Sequence, residues 1–566
     1  MEAQKKIKGS EAVVRALLAE GVETIFGYPG GAAMPLYDTL FDYEDKIKHV
    51  LVRHEQAASH AAQAYSQVTD KVGVCISTSG PGATNLITGI ANANIDSVPM
   101  VVITCQVISP LLGTDAFQET DMVGLSMPIT KWNYQVTKPE EIAEALAKAF
   151  YIAVSGRPGV VLIDITKDAL LAETEEFEYL RSPRIRSYNP YPEIIESQIN
   201  EAAELINQAK KPLLLVGHGI LIARAEKELA EFAEKANIPV ASTLLGLSAF
   251  PSGHELFAGM LGMHGNYAPN KLTNQADVII AVGMRFDDRV TGRLSDYAKQ
   301  AKIIHIEIDP AEINKNVTVD LAINADVKAV LNLLVPKIEK QTHPEWHKQF
   351  KDLYDQEYET VIQHDCWPKS DKIKMGEVVH LISEKTKGDA IIVTDVGQHQ
   401  MVAARYYKYS NPNSLITSGG LGTMGFGLPA AMGAAMAVPG KQVVLFVGDG
   451  GLQMTIQEFG TIMQENIPVK IVVLNNSFLG MVRQWQDMFF EKRYAETNMV
   501  NPDFVKVAEG YRIKGRLVDS RVDLSAALDE MLASKEAYLL EVSVEKETNV
   551  FPMIAPGASV DEIRIA

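Results

Sequence analysis

Cysteine is scarce in this sequence: Cys75, Cys105 and Cys366 are the only three in 566 residues. An odd number at unrelated spacings excludes a disulfide framework and offers no zinc-binding pattern. Cys75 and Cys105 fall inside apolar runs, VGVCIST and MVVITC, where a thiol serves as a small buried hydrophobe. Positive charge is also in deficit. Lys and Arg number 53 against 71 Asp and Glu, a formal net charge of −18, which argues against a nucleic-acid partner because phosphates need a basic surface. No run approaches the roughly 18 apolar residues of a membrane span. The first residues, MEAQKKIKGSEAVV, have no apolar core of the signal-peptide kind. A cytoplasmic protein that does not enter the membrane is therefore expected. Low-complexity tracts and short-period repeats are missing too.

What the sequence has is alternation. Short β-branched runs recur between helix-length segments: VETIFGYPG, HVLVRHEQ, VGVCISTSG and PMVVITCQ, then PLLLVGHG, IPVASTLL, DVIIAVGMRF and KIIHIEIDP, then AIIVTDVGQ, QVVLFVGDG, VKIVVLNN and YLLEVSVEKE. Strands apolar on both faces and separated by helices predict an α/β fold of doubly wound parallel sheets covered on both sides. A chain of this length exceeds one hydrophobic core. Two charged, proline-containing stretches, 173–193 and 341–372, are poor in β-branched runs and read as connections. They leave three domains, 1–172, 194–340 and 373–550, each with its own parallel sheet. Ligands of open parallel sheets bind beyond the carboxyl ends of the strands, and nearly every run above ends in glycine or a polar residue.

One such end is VLFVGDGGLQM, Val444 to Met454, where an apolar run stops at Gly-Asp-Gly-Gly. A turn would explain the composition. The next segment argues for more. Leu452, Ile456, Phe459 and Met463 recur at helical spacing, and the strand VKIVVL after Pro468 ends on Asn475 and Asn476. In this βαβ unit Asp449 and Asn476 reach the same sheet edge. A carboxylate and a carboxamide beside glycines suit magnesium, which takes oxygen ligands and shares them with a bound phosphate group. One carboxylate is too few for an all-protein cage, so a diphosphate should supply the rest.

This segment resembles the diphosphate-binding motif of thiamine diphosphate (ThDP) enzymes, GDG followed after a helix and a strand by NN. The resemblance implies that Asp449, Asn476 and the main-chain carbonyl of Phe478 hold Mg2+, with Gly448, Gly450 and Gly451 around the cofactor. Gln398 and His399 of DVGQHQ match the other side of the diphosphate. Gly420 to Gly425 spells the dinucleotide fingerprint G-x-G-x-x-G, but it follows only the weak run SLITSG. It overlaps GGLGTMGFGLPAA, which the family has at the cofactor; Gly422 belongs to this stretch, and Met424 matches the bulky residue beneath the thiazolium. Glu55 of VLVRHEQAASH could be a helix N-terminal acid interacting with the macrodipole; its match to the family pattern implies the carboxyl group that activates the aminopyrimidine. HEQAASH is not the zinc motif H-E-x-x-H, since its second histidine comes too late. Glu55 and Asp449 lie in different domains, which in the family come from different subunits, so a homodimer or a dimer of dimers is implied.

Seven further stretches narrow the resemblance: FGYPGGA (26–32), STSGPGATN (77–85), GTDAFQE (113–119), SGRPGVVLIDITKD (155–168), LGMHG (261–265), RFDDRVTG (285–292) and GMVRQWQ (480–486). Together they resemble the acetohydroxyacid synthase, or acetolactate synthase, family, with RPGVV departing from the commoner RPGPV. The resemblance implies decarboxylation of pyruvate on ThDP and transfer of the two-carbon unit to a second pyruvate or to 2-oxobutyrate, in branched-chain amino acid biosynthesis. Gly31, Phe117, Gln118 and Lys167 match family residues around the reacting centre. Met481 and Trp485 match the acceptor pocket, Met481 also neighbouring the cofactor. Arg157, Thr243, Leu244, Met263, His264, Gly283, Arg285, Glu307, Ile308 and Asp326 match the family's FAD site; for RFDDR the bland reading is a surface cluster of ion pairs. A catabolic, FAD-independent acetolactate synthase, a pyruvate oxidase-like enzyme and a non-catalytic scaffold are the rival readings. A small regulatory subunit is left open.

Overall fold

The computed structural model describes residues 6–69, 71–175 and 177–566. Its strands form three six-stranded sheets in which every pairing is parallel. The first sheet runs in space as Lys48–Leu51, Thr24–Gly27, Gly73–Ser77, Met100–Gln106, Val160–Thr166, Trp132–Val136. The third runs as Leu415–Ile416, Ile391–Thr394, Val443–Gly448, Lys470–Asn475, Tyr538–Ser543, Lys514–Val518. Counted within each domain, both orders are 2-1-3-4-6-5. The central sheet, Phe257–Met260, Val240–Ser242, Pro212–Val216, Val278–Val282, Lys302–Glu307, Leu321–Asn324, has the order 3-2-1-4-5-6, which is that of dinucleotide-binding domains. A short antiparallel pair, Ile7–Lys8 with Glu173–Thr174, ties the first domain's ends together.

Each sheet divides two hydrophobic layers, as strands apolar on both faces require. In the strand Val443–Gly448, Val444 and Phe446 enter one layer while Leu445 and Val447 enter the other. All four are fully buried, each worth about 1.5–3 kcal/mol of transfer free energy. The first and third domains meet through the helices Glu55–Val68 and Gly427–Ala437. Their facing residues are small (Ala61, Ala64, Ala430, Gly433, Ala434), which lets the backbones approach. A Cβ on Gly433 would lie 2.1 Å from the Ala61 carbonyl oxygen, so Gly433→Ala would force the helices apart.

Three details differ from the sequence expectations. The helix after Gly-Asp-Gly-Gly is not continuous. Asp449–Met454 ends at Thr455, a 3-10 turn follows at Ile456–Glu458, and a second helix spans Phe459–Glu465; the Thr455 hydroxyl donates to the Gly425 carbonyl at 3.0 Å rather than continuing the helix. The connection 341–372 is largely helical, with Pro344–Glu357 burying Trp346 and Phe350 in a layer of the central domain. Finally, six strands of the three six-stranded sheets lie outside the expected runs, five of them at sheet edges, as does the antiparallel pair. No described helix is long and apolar enough to cross a membrane.

Candidate cofactor and active site

In the third domain the strand order reverses between the neighbouring strands Ile391–Thr394 and Val443–Gly448. Their following loops diverge and leave a crevice at the carboxyl edge. A cavity of about 50 Å³ occupies it, lined by Gln398, His399, Met424, Gly448, Asp449, Gly450, Gly451, Asn476, Phe478 and Met481 among others. Asp449 opens its helix and is buried. Its Oδ2 accepts from Asn501 Nδ2 at 2.7 Å. Burial raises its pKa, opposed by this hydrogen bond. Asn476 Nδ2 donates to Gln398 Oε1 at 3.3 Å, and Asn476 Oδ1 accepts from the Phe478 amide at 3.2 Å. Ser477 between them is left-handed, φ 55°, and turns the chain so that both neighbours line the cavity.

The donor set suits the groups expected here. A Cβ on Gly480 would lie 2.4 Å from Gln398 Oε1 and 2.7 Å from Asn476 Nδ2, so only glycine leaves the cradle its shape. His399 Nε2 is buried without a partner, and burial pushes the imidazole down to about 4. An orphaned buried nitrogen beside a glycine-walled cavity fits an oxygen-rich ligand such as a diphosphate. Among the described residues no three His, Cys, Asp or Glu side chains converge on a metal-sized point. A cation here would use the Asp449 carboxylate, the Asn476 amide oxygen, the Phe478 carbonyl and ligand oxygens, a set that suits magnesium.

The loop 418–426, which contains the G-x-G-x-x-G string, is held from two sides. Asp96, at the end of the helix Ile87–Ile95, accepts from the Gly419 and Gly420 amides at 3.1 and 2.7 Å. Asp395 accepts from the Gly425 and Gly427 amides at 3.2 and 2.7 Å. Burial pushes both carboxyl groups up to about 6, and these amide donors oppose it. The loop thus presents Met424 to the cavity.

A second cavity of about 850 Å³ adjoins the first. Val396, Gly397, Met424, Met481 and Val482 line both. All ten positions matched to the flavin site, Arg157, Thr243, Leu244, Met263, His264, Gly283, Arg285, Glu307, Ile308 and Asp326, line this second cavity, as do Gly422 and Trp485. It opens where the central sheet reverses order, between the loops after Pro212–Val216 and Val278–Val282. Its volume is that of a large-ligand site. His264 Nδ1 is buried without a partner and the ring is held down at about 4 by burial, while Glu307 is pushed up to about 7 by burial. RFDDR is not merely a surface cluster. Arg285 faces the cavity, and its nearest acid, Asp287, is 3.9 Å away and caps the helix Asp288–Thr291. Trp485 stands one turn after Met481 on the helix Gly480–Phe489, its ring 5.4 Å from that of Phe489.

Gly31, Glu55, Phe117, Gln118 and Lys167 lie elsewhere. They follow carboxyl ends of the first sheet and line neither cavity of their own chain. His54 Nδ1 accepts from the Gln56 amide at 3.2 Å and starts the helix at Glu55; Glu55 Oε2 accepts from Asn85 Nδ2 at 2.9 Å. Glu119 gathers the amides of Gly113, Thr114 and Ala116 and shapes the loop before Gln118. Phe117 on this loop is 88% exposed.

Family models match in the same three-part order: thiamine pyrophosphate enzyme, N-terminal TPP binding domain, over residues 7–125; central domain over 199–334; C-terminal TPP binding domain over 395–542. The chain is 45% identical to the acetolactate synthase isozyme 2 large subunit of Escherichia coli (strain K12), over 98% of this chain and 99% of that one. It is also 45% identical to the acetolactate synthase large subunit IlvB1 of Mycobacterium tuberculosis, covering 100% of this chain and 92% of the relative. A probable acetolactate synthase large subunit of Methanocaldococcus jannaschii is 45% identical over 98% and 95%. The chain belongs to the acetolactate synthase family of thiamine pyrophosphate enzymes. Within this acetolactate synthase fold, several positioning residues went unread in the sequence. Asp395 carried a signal, an acid at a strand end before glycine, as at Asp449. Asn501, which holds Asp449, carried none; it lies in an irregular loop and acquires its partner only on folding.

Proposed function

We propose that this chain is the catalytic subunit of a biosynthetic, FAD-containing acetolactate synthase, a transferase with domains 1–172, 194–340 and 373–550. It would act on pyruvate, with pyruvate or 2-oxobutyrate as acceptor, in the cytoplasm. The observation that carries this reading is the wall shared by the small glycine-lined cavity and the large one, beside full-length likeness to acetolactate synthase large subunits. The shared wall favours the flavin-containing form over the FAD-independent one.

Bound ThDP would supply an electron sink for the carbon–carbon bond that breaks as carbon dioxide leaves, and FAD would be structural, since the reaction has no net electron transfer. Asp449, Asn476 and the Phe478 carbonyl hold magnesium, and Gln398 and His399 bind the diphosphate. Met424 supports the cofactor from the loop that Asp96 and Asp395 fix. Glu55 would hold the pyrimidine of a ThDP bound to a second copy and supply the carboxyl proton there; in its own chain it lines neither of the two cavities described. Gly31, Phe117, Gln118 and Lys167 sit with it at the first sheet's edge and close that site, while Trp485 and Met481 wall the acceptor. The assembly is a homodimer or a dimer of dimers. The relatives' designation as large subunits favours a small regulatory partner.

One assay tests the proposal: product identity from pyruvate with and without 2-oxobutyrate, with ThDP, Mg2+ and FAD each omitted in turn. Acetolactate and 2-aceto-2-hydroxybutyrate are expected, lost when any one is omitted. Stoichiometric oxygen uptake without acetolactate would replace this reading by an oxidase.

A further inference from the structure

The helix Gln398–Tyr406 serves both cavities. Gln398 and His399 in its first turn line the small one, and Gln400 and Met401 line the large one. Its last turn carries Arg405, whose Nη2 lies 2.6 Å from Glu357 Oε1, with side chains 1% and 0% exposed. Glu357 ends the helix Pro344–Glu357, inside the segment that the sequence marks only as a connection. The same carboxylate accepts from Asn266 Nδ2 at 3.0 Å and from the Tyr267 amide at 2.6 Å. These two residues directly follow Met263, His264 and Gly265, and Asn266 Oδ1 accepts in turn from the Met260 amide at 2.8 Å. Arg405 Nη1 donates to the Phe551 carbonyl, and the nearby Ile554 amide donates to the Met263 carbonyl at 2.8 Å. Two charges and a loop from three parts of the chain therefore close on one point at the far end of the helix that lines both cavities.

Such a pair is a poor source of stability, because desolvating two ions offsets their attraction and an apolar pair of like volume would serve as well. What it imposes is register: a wholly buried carboxylate with three donors tolerates one arrangement of the elements that carry them. Those elements are the loop lining the large cavity and the helix lining the small one. We propose that Arg405 and Glu357 are positioning residues that couple the two cofactor cavities, so that filling one raises affinity at the other. This inference rests on the assignment of ThDP to the small cavity and FAD to the large one. A flavin that orders Leu261–Asn266 fixes Glu357 through Asn266 and Tyr267, Glu357 fixes Arg405, and Arg405 fixes the helix that begins at Gln398. Linkage makes the effect reciprocal.

The test is the dissociation constant of ThDP at fixed magnesium, with and without saturating FAD, and that of FAD with and without ThDP–Mg. In the unmodified protein each cofactor should tighten the other by about tenfold, within the usual range of coupling between sites. In Glu357→Gln the factor should fall toward one. Since a stranded buried arginine can unfold the protein, the decisive variant is the double substitution Glu357→Leu with Arg405→Met, which removes both charges and keeps apolar volume. Folded by circular dichroism and binding each cofactor singly, it should show no coupling. Coupling of unchanged size in that variant, or none in the unmodified protein, overturns the proposal. Failure of the unmodified protein to bind either cofactor singly overturns the cofactor assignment itself, and is told apart by the single titrations.

Discussion

The first and third domains share the strand order 2-1-3-4-6-5, so both reverse between their first and third strands, the place where ligands of such sheets bind. In the third domain the crevice is walled by groups buried in place: Asp449 held by Asn501, Asn476 by Gln398, and His399 left with an unpartnered nitrogen. In the first domain the equivalent edge stays open. Gly31 and Phe117 are exposed, and Glu55 has a neighbour in Asn85 but lines neither of the two cavities described. One backbone frame thus yields a walled, buried crevice in one case and an exposed edge in the other. The difference lies in which side chains the rest of the chain packs over the strand ends.

The largest effect should come from the cradle. Asp449→Ala removes the only carboxylate among the proposed magnesium ligands, and calorimetry should then detect no saturable ThDP binding at millimolar magnesium. Unchanged affinity would make the cradle a mere crevice and remove the contrast with the first domain.

Next comes the open edge. Glu55→Gln should lower turnover by about 10² to 10⁴-fold, the usual span of acid–base contributions, with ThDP affinity retained. Mixing this variant with Asp449→Ala should restore part of the activity, since a mixed dimer holds one intact site. If subunits exchange and no activity returns, the edge does not serve a second copy.

A smaller effect is expected in the large cavity, which Trp485 lines. Trp485→Leu should reduce the preference for 2-oxobutyrate over pyruvate, in a two-acceptor competition, by about 10 to 200-fold, the value of one methylene against an apolar wall. Retained discrimination would place selectivity away from Trp485.

The smallest effect concerns the seam between the first and third domains. His60, on the helix Glu55–Val68, is fully buried, with its ring 5.3 Å from that of Phe426. Burial pushes it down to about 3 from an ordinary 6.5. Below pH 6.5 the unfolded chain binds a proton that the folded one refuses, so this residue's contribution is complete above pH 6.5 and is lost as pH falls toward 3. Between pH 7 and 5 that loss is about 2 kcal/mol. His60→Gln should therefore lose less stability by about that amount over the same interval, measured by urea unfolding. Equal pH dependence in the two proteins would show that His60 is protonated inside the seam.

The sequence by itself determined the strands that are apolar on both faces, because burial on two sides writes itself into every residue of a run. It therefore showed the interior strands of the three sheets except Val160–Thr166, and with them the strand ends that carry Gln398, Asp449 and Asn476. Five of the six edge strands of these sheets escaped for the converse reason; the sixth, Lys48–Leu51 before Glu55, was legible although only partly buried. Trp132–Val136 and Lys514–Val518 are only partly buried and read as ordinary surface, and Leu415–Ile416 is two residues long. The central strand Val160–Thr166 hides behind Asp164, whose charge breaks the apolar run and is satisfied only on folding, by Thr104 at 2.6 Å and Gln135 at 2.9 Å. Tertiary structure alone decided the strand orders, including the topology shared by the first and third domains, since order depends on which helices cover which face and not on any local pattern. It alone brought Asn501 to Asp449 and Glu357 to Arg405. A buried polar group is tolerable only beside its partner, and residues some fifty positions apart become partners only when the chain has folded around them.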